Sequence, residues 1–176
     1  MRNKHNSIIL GIDPGYGRIG LAVLQKDRSG DKLLHSECFE TDTKLPHHKR
    51  LLLIGDKTRE IIKKYQPRKM AIETLLWSKN KKTAMQVAEA RGVILLEAAR
   101  QRVLVCEHNP NQVKLAITGY GKSDKKQIVN MVEKLVKLPP QKRYDDEYDA
   151  IAIALACAAT FHPEYGAVQL STEISR

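Results

Sequence analysis

Residues Leu10–Val23 read LGIDPGYGRIGLAV, and one carboxylate, Asp13, closes the first apolar run ahead of Pro14, Gly15, Gly17 and Gly20. An acid there needs a reason. Short apolar runs bounded by turn residues fold as strands, and strand ends are where α/β sheets commonly meet their ligands. Ser7–Ile12 and Ile19–Gln25 flank the Gly/Pro turn as two strands, and Lys32–Glu40 resumes as a third after DRSGD, so the chain opens as an antiparallel meander.

Beyond it the period changes. From Leu45 to Tyr65 the apolar positions Leu51, Ile54, Ile61, Ile62 and Tyr65 recur at helical spacing, and Pro67 stops the helix. Lys69–Glu73 reads as a strand, Lys79–Arg102 as a long helix and Val103–Glu107 as a strand. Asn109–Ile117 and Ser123–Val136 follow as helices around TGYGKSD, and a last helix begins in QKRYDDEYD after Pro139 and Pro140 and runs to about His162. The order βββαβαβααα predicts an α/β domain over residues 1–162. The tail, 163–176, is poor in apolar residues, a composition suited to disorder. In the long helix Ala84, Ala88 and Gly92 lie four apart, a stripe read as packing on the chain's own sheet, with a dimer contact as the alternative.

With 176 residues the chain is long enough to bury roughly two thirds of its unfolded surface without disulfides. Thirty Lys and Arg against twenty Asp and Glu give a net charge of +10, which suits a polyanionic partner through counterion release, or serves only solubility. Cys38, Cys106 and Cys157 are far apart, with no CxxC, so they read as buried hydrophobes of a reduced protein rather than zinc ligands. The first apolar run is broken by Gly11 and Asp13, too early for a signal peptide, and no run approaches the roughly 20 apolar residues of a membrane span. The expectation is a cytoplasmic protein without a membrane partner.

Three acidic locations fall at element ends: Asp13, Glu73 and the pair Asp146/Asp149, three apart on one helical face. If the strands ending in Asp13 and Glu73 are neighbours, their carboxylates meet at one rim. Singly, each acid has a structural alternative. Asp13 can bond the turn after it, and Asp146 can cap the last helix with Asp149 as its box partner. Asp145 and Glu147 share that ambiguity, Glu147 from a different face. Together, four converging carboxylates would repel one another and raise each other's pKa values unless a cation joined them. Oxygen-only ligation suits Mg²⁺ or Mn²⁺, and two such ions about 4 Å apart can activate water and stabilise the leaving oxygen of a phosphodiester. A basic chain with an acidic pocket is thus a nuclease candidate.

Four segments carry a resemblance. LGIDPGYGRIGLAV, AIETLLWSKNKKTAMQVAEARGV from Ala71, HNPNQVKLAITGYGKSDKKQIVNMV from His108 and DEYDAIAIALA from Asp146 together closely resemble the RuvC Holliday junction resolvases, in order, from about Ile8 to His162. The resemblance implies an RNase H-like fold with a mixed five-stranded sheet flanked by helices. It implies a homodimer that nicks two like-polarity strands of a four-way DNA junction, leaving a 5′-phosphate and a 3′-hydroxyl. It also implies two Mg²⁺ per site, replaceable by Mn²⁺, and RuvA and RuvB as branch-migration partners. By motif, the family's metal-binding carboxylates fall on Asp13, Glu73, Asp146 and Asp149, and its basic residues near the scissile phosphate and backbone on Lys114 and Lys125. Apart from the resemblance, Lys114 lies early in a helix, and Ser123 can cap another whose amides, with Lys122, Lys125 and Lys126, would suit a phosphate. The family's aromatic three residues after the glutamate is here Leu76, followed by Trp77, the single tryptophan. Trp77 is either a base-stacking platform or a core anchor.

Other functions fit parts of the pattern. An RNase H-fold nuclease acting on RNA opens with a similar GID and glycines, but Glu73, the DxxD at Asp146 and the NPNQVK helix favour RuvC. An actin-like phosphotransferase needs two such domains. A non-cleaving branched-DNA binding module accounts for the charge but gains nothing from four acids beside phosphate.

Overall fold

The computed structural model describes residues 7–27, 30–75 and 83–160. Leu76, Trp77 and the 163–176 tail therefore lie outside the described residues. Ten elements follow in the expected order: β1 (Ser7–Asp13), β2 (Arg18–Lys26), β3 (Lys32–Glu40), α1 (His47–Tyr65), β4 (Lys69–Glu73), α2 (Ala84–Arg100), β5 (Leu104–His108), α3 (Pro110–Thr118), α4 (Lys125–Leu135) and α5 (Asp145–Ala159). The sheet order is β3-β2-β1-β4-β5, antiparallel across the meander and parallel from β1 through β4 to β5. The adjacency of β1 and β4, which the convergence of Asp13 and Glu73 requires, is thus present.

Alternation along the strands divides the core between two faces. Leu10, Ile12, Ile19, Leu21 and Val23 pack with Ile54 and Ile61 of α1 and with Ala90, Ile94 and Ala98 of α2. On the other face Ile9, Ala22, Leu24 and Ala71 meet α5, α3 and α4. Ala150 through Ala158 of α5 are buried on all sides, as expected of a helix enclosed between a sheet and two further helices. Small residues let it sit close. A Cβ on Gly20 would lie 1.8 Å from the Asp146 carbonyl oxygen, and one on Gly11 would lie 2.3 Å from that of Ala150. Because Gly20 is the register partner of Asp13, this close approach delivers the first turn of α5 to the end of β1.

Several boundaries depart from the sequence reading. Helix α1 starts at His47 because Pro46, extended at ψ 147, is its N-cap. Helix α2 ends at Arg100, and Arg102 turns the chain with a positive φ of 56° into β5. The N-cap of α4 is Asp124, not Ser123: its carboxylate accepts from Gln127 N, while Ser123 is buried and bonded to Thr118 and Tyr120. That carboxylate takes the place assigned to a phosphate. The α2 stripe does not pack as a unit on the sheet. Ala84 is buried, but Gly92 is exposed with open space beyond its Cα, and the inward residues are Ala90, Ile94 and Ala98. Of the three free cysteines only Cys157 is buried; Cys38 and Cys106 are half-buried.

The packing of α5 predicts that Gly20→Ala and Gly11→Ala each destabilise the fold by about 1–3 kcal/mol in urea unfolding, since backbone must move to admit the methyl. Gly121→Ala, whose new Cβ would meet only an ordinary contact at 3.7 Å, should stay within about 0.5 kcal/mol of the parent.

Candidate active site

Asp13 ends β1 and Glu73 ends β4, one step past the paired Ile12 and Ile72. Helix α5 brings Asp146 and Asp149 to the same rim. The turn after Asp13 is held by other groups. Thr41 donates its hydroxyl to Tyr16 O at 3.0 Å and its N–H to Gly17 O at 3.0 Å. Arg50, buried in α1, donates from Nε to Thr41 Oγ1 at 2.9 Å and from Nη2 to Tyr16 O at 3.2 Å, with its guanidinium carbon 3.8 Å from the centre of the Tyr16 ring. A Cβ on Gly15 would collide with Arg18 O, so the turn can close this tightly only around glycine. Asp13 is thereby left facing the other acids.

The acids do interact. Burial, followed by the charges of Asp149, Glu73 and Asp146, pushes the Asp13 carboxyl up to about 8 against the opposing Lys125 ammonium. Burial also raises Asp149, with Lys125 again opposing. The capping alternative for Asp146 is not realised: Tyr144 is the N-cap of α5, without a side-chain bond, and Asp146 lies in the first turn facing Arg18, whose Nε is 3.4 Å away. Lys125, at the start of α4, places Nζ 3.3 Å from Asp149 and 3.1 Å from the exposed Asp145. Desolvation lowers its pKa, yet these carboxylates raise it overall. Lys114 lies on α3, whose start is fixed by Pro110 and an Asn109/Gln112 capping box. It lines, with Asp13 and Glu73, a cleft of about 330 Å³, and, with Glu73 and Asp149, a second of about 170 Å³. All six of these candidates therefore share one rim. Leu76 and Trp77 fall outside the described residues.

Two supports were not legible as such in the sequence. Arg50, among the Lys and Arg of α1, is buried under the Asp13 turn. Glu147 is also buried. It accepts from Ser36 Oγ at 2.6 Å and Gln141 Nε2 at 3.2 Å and lies 3.1 Å from Arg143 Nε, an ion pair out of line for a hydrogen bond. The cluster ties the first turn of α5 to β3 and to the segment before it. Its one sequence signal was the different face on which Glu147 falls.

The family profile for crossover junction endodeoxyribonuclease RuvC matches residues 9–157. The chain belongs to the RuvC family. The RuvC of Thermosipho melanesiensis is 47% identical over 152 residues, covering 85% of this chain and 96% of that protein. Thermus thermophilus RuvC superposes with a TM-score of 0.79, and its complex with Holliday junction substrate with 0.81, each at 31% identity over 86% of this chain and 93% of that one. The yeast mitochondrial resolvase Ydc2 shares the fold, with a TM-score of 0.67 at 13% identity over 88% of this chain and 79% of that one. The architecture is RNase H-like, as expected for a RuvC, and the chain is a junction endonuclease by family. No helix among the described residues is long and apolar enough to cross a membrane.

An all-oxygen donor set suits a hard divalent cation, and a carboxyl pushed up to about 8 by burial and then by its acidic neighbours fits one too, because a cation would relieve the repulsion. Among the described residues no three metal-binding side chains close around one point as they stand. Two of the acids are instead turned to Arg18 and Lys125.

Two outcomes follow from this geometry. The folded pKa of Asp13 lies above its unfolded value of 3.8, so the fold retains a proton that the unfolded chain releases. Ionisation at this site therefore lowers stability progressively from about pH 4 to about pH 8. In chelator, Asp13→Asn should raise Tm at pH 8 and barely change it at pH 4, with about 2–4 °C for each kcal/mol removed. Glu147→Ala, which leaves Arg143 buried without its partner, should cost about 3–5 kcal/mol in urea unfolding, with much of the loss recovered in an Arg143→Met/Glu147→Leu double variant.

Proposed function

We propose that this chain resolves four-way DNA junctions in the cytoplasm by paired, Mg²⁺-dependent hydrolysis of phosphodiester bonds, as part of recombination and repair. The carrying observation is the meeting of Asp13, Glu73, Asp146 and Asp149 at one rim of an RNase H-like sheet, in a chain of net charge +10. Positive surface draws in the polyanion, while the rim itself repels phosphate until its charge is met.

These four carboxylates would hold two Mg²⁺, with Mn²⁺ as a substitute. When bound, such ions supply a water of lowered pKa and charge stabilisation for the leaving oxygen. Asp13, anchored through its turn by Thr41 and Arg50, and Glu73, fixed at the end of β4, hold their oxygens on one side of the rim. Asp146 and Asp149 hold theirs on the other, oriented by the buried Glu147 cluster. Lys114, lining the cleft beside Glu73, contacts the phosphate whose bond breaks. Lys125 leaves Asp149 for the DNA backbone. Leu76 and Trp77 are assigned to the unstacked bases near the crossover. The 163–176 tail is assigned no part in the chemistry of the 1–162 domain.

Paired nicks require two sites, which a homodimer supplies. The outward face of α2 supports one: Met85 is 69% and Leu96 49% exposed, with the bare Gly92 between them. RuvA and RuvB are the partners that would deliver the junction.

A labelled four-way junction and a linear duplex of the same sequences, each with Mg²⁺ and with chelator, form the test. Metal-dependent paired nicks in the junction alone are expected. Binding without nicks under varied metal and sequence would replace the nuclease with a binding module. Asp13→Asn and Glu73→Gln should each lower nicking by at least 10²-fold while junction affinity holds or rises, and Lys114→Ala should lower it by about tenfold or more.

A further inference from the structure

Arg18 lies inside the first resemblance segment, which assigns it no role, but the structure places it at the site. It opens β2 directly after the Asp13 turn, and its carbonyl packs where a Gly15 Cβ would lie. Its backbone is therefore fixed relative to Asp13. Its side chain is 52% exposed and reaches over the rim to Asp146, with Nε 3.4 Å from Oδ2, while the guanidinium carbon stands 5.9 Å from the centre of the exposed Tyr144 ring. With Arg18 half exposed, a pair of this length adds little to stability. The second α5 carboxylate repeats the arrangement, with Lys125 3.3 Å from Asp149. Asp146 and Asp149 thus each carry an exchangeable side-chain cation.

We propose that Arg18 is a metal-gated phosphate-binding residue. With the site empty of metal its guanidinium neutralises Asp146, and when a divalent cation takes that carboxylate the guanidinium is released to a DNA backbone phosphate entering the rim. The proposal rests on the metal-dependent nuclease reading and adds to it a residue and an order of events. Guanidinium suits both partners, since its fork of donors matches a carboxylate and a phosphate alike. Tyr144 offers a ring face along which the group can swing without losing all contact. Arg18 also competes with the metal, so the two ligands of Asp146 are linked: removing Arg18 favours the metal and disfavours the DNA.

That opposition of signs is the test. Arg18→Gln in the full chain should bind Mn²⁺ about threefold more tightly by calorimetry without DNA. Its affinity for a four-way junction should change less than about twofold in chelator but fall about tenfold in Ca²⁺, with the slope of log affinity against log salt reduced by about one. Arg18→Lys should restore part of the Ca²⁺-dependent affinity. An equal loss with and without Ca²⁺ would make Arg18 an ordinary surface charge and overturn the proposal, as would no loss in either condition or an unchanged Mn²⁺ affinity. If the parent chain nicks the junction in Mg²⁺ and any of these results is found, only the role of Arg18 falls. If the parent chain does not nick, the nuclease reading falls and Arg18 with it.

Discussion

The close seating of α5 on the sheet is the constraint on which the rest depends. Gly20 has no side chain to hold Asp146 away, and Gly20 is the strand partner of Asp13, so the same contact that completes the core brings carboxylates from the sheet and the helix together. Charge crowding is thus a consequence of packing. Burial raises Asp13 first and its acidic neighbours raise it further, so ionising the rim costs stability that a cation there would restore.

Around that crowded point the protein has placed rigid supports and movable charges. The supports are buried: Arg50 and Thr41 beneath the Asp13 turn, and Glu147 with Ser36, Gln141 and Arg143 beneath the first turn of α5. The movable charges, Arg18 and Lys125, are half exposed on long side chains and meet the two α5 acids at 3.3–3.4 Å. Such a division lets the carboxylates keep their positions while their partners are exchanged for metal and phosphate. Lys114 differs in facing the cleft from α3, beside Asp13 and Glu73.

Much of this was legible in the sequence. The apolar runs split by Gly and Pro mark the meander, and the strand expected at Lys69–Glu73 has those bounds in the structure. The acids were visible as element-end residues, but their meeting depends on β4 lying beside β1, which strand periodicity does not encode. Helix starts were misplaced where two capping groups compete, as at Ser123 and Asp124, and at Pro46, whose φ suits either side of a helix boundary. Buried charge was the least legible feature. Arg50 and Glu147 sit among exposed charges in sequence, and only tertiary contacts distinguish them. Gly20 is one glycine among three after Asp13, although its contact with Asp146 makes it the one that closes the site.

With no cation bound, the Asp13 carboxyl holds a proton, and metal binding exchanges one for the other. Calorimetric titration of the protein with Mn²⁺ at pH 7, in two buffers of different ionisation enthalpy, measures that exchange directly. Binding should release about one proton per chain, and in Asp13→Asn both the binding and the release should be largely lost. Metal binding that releases no proton, or that survives Asp13→Asn unchanged, would contradict a site built on the crowding of Asp13 with Glu73, Asp146 and Asp149.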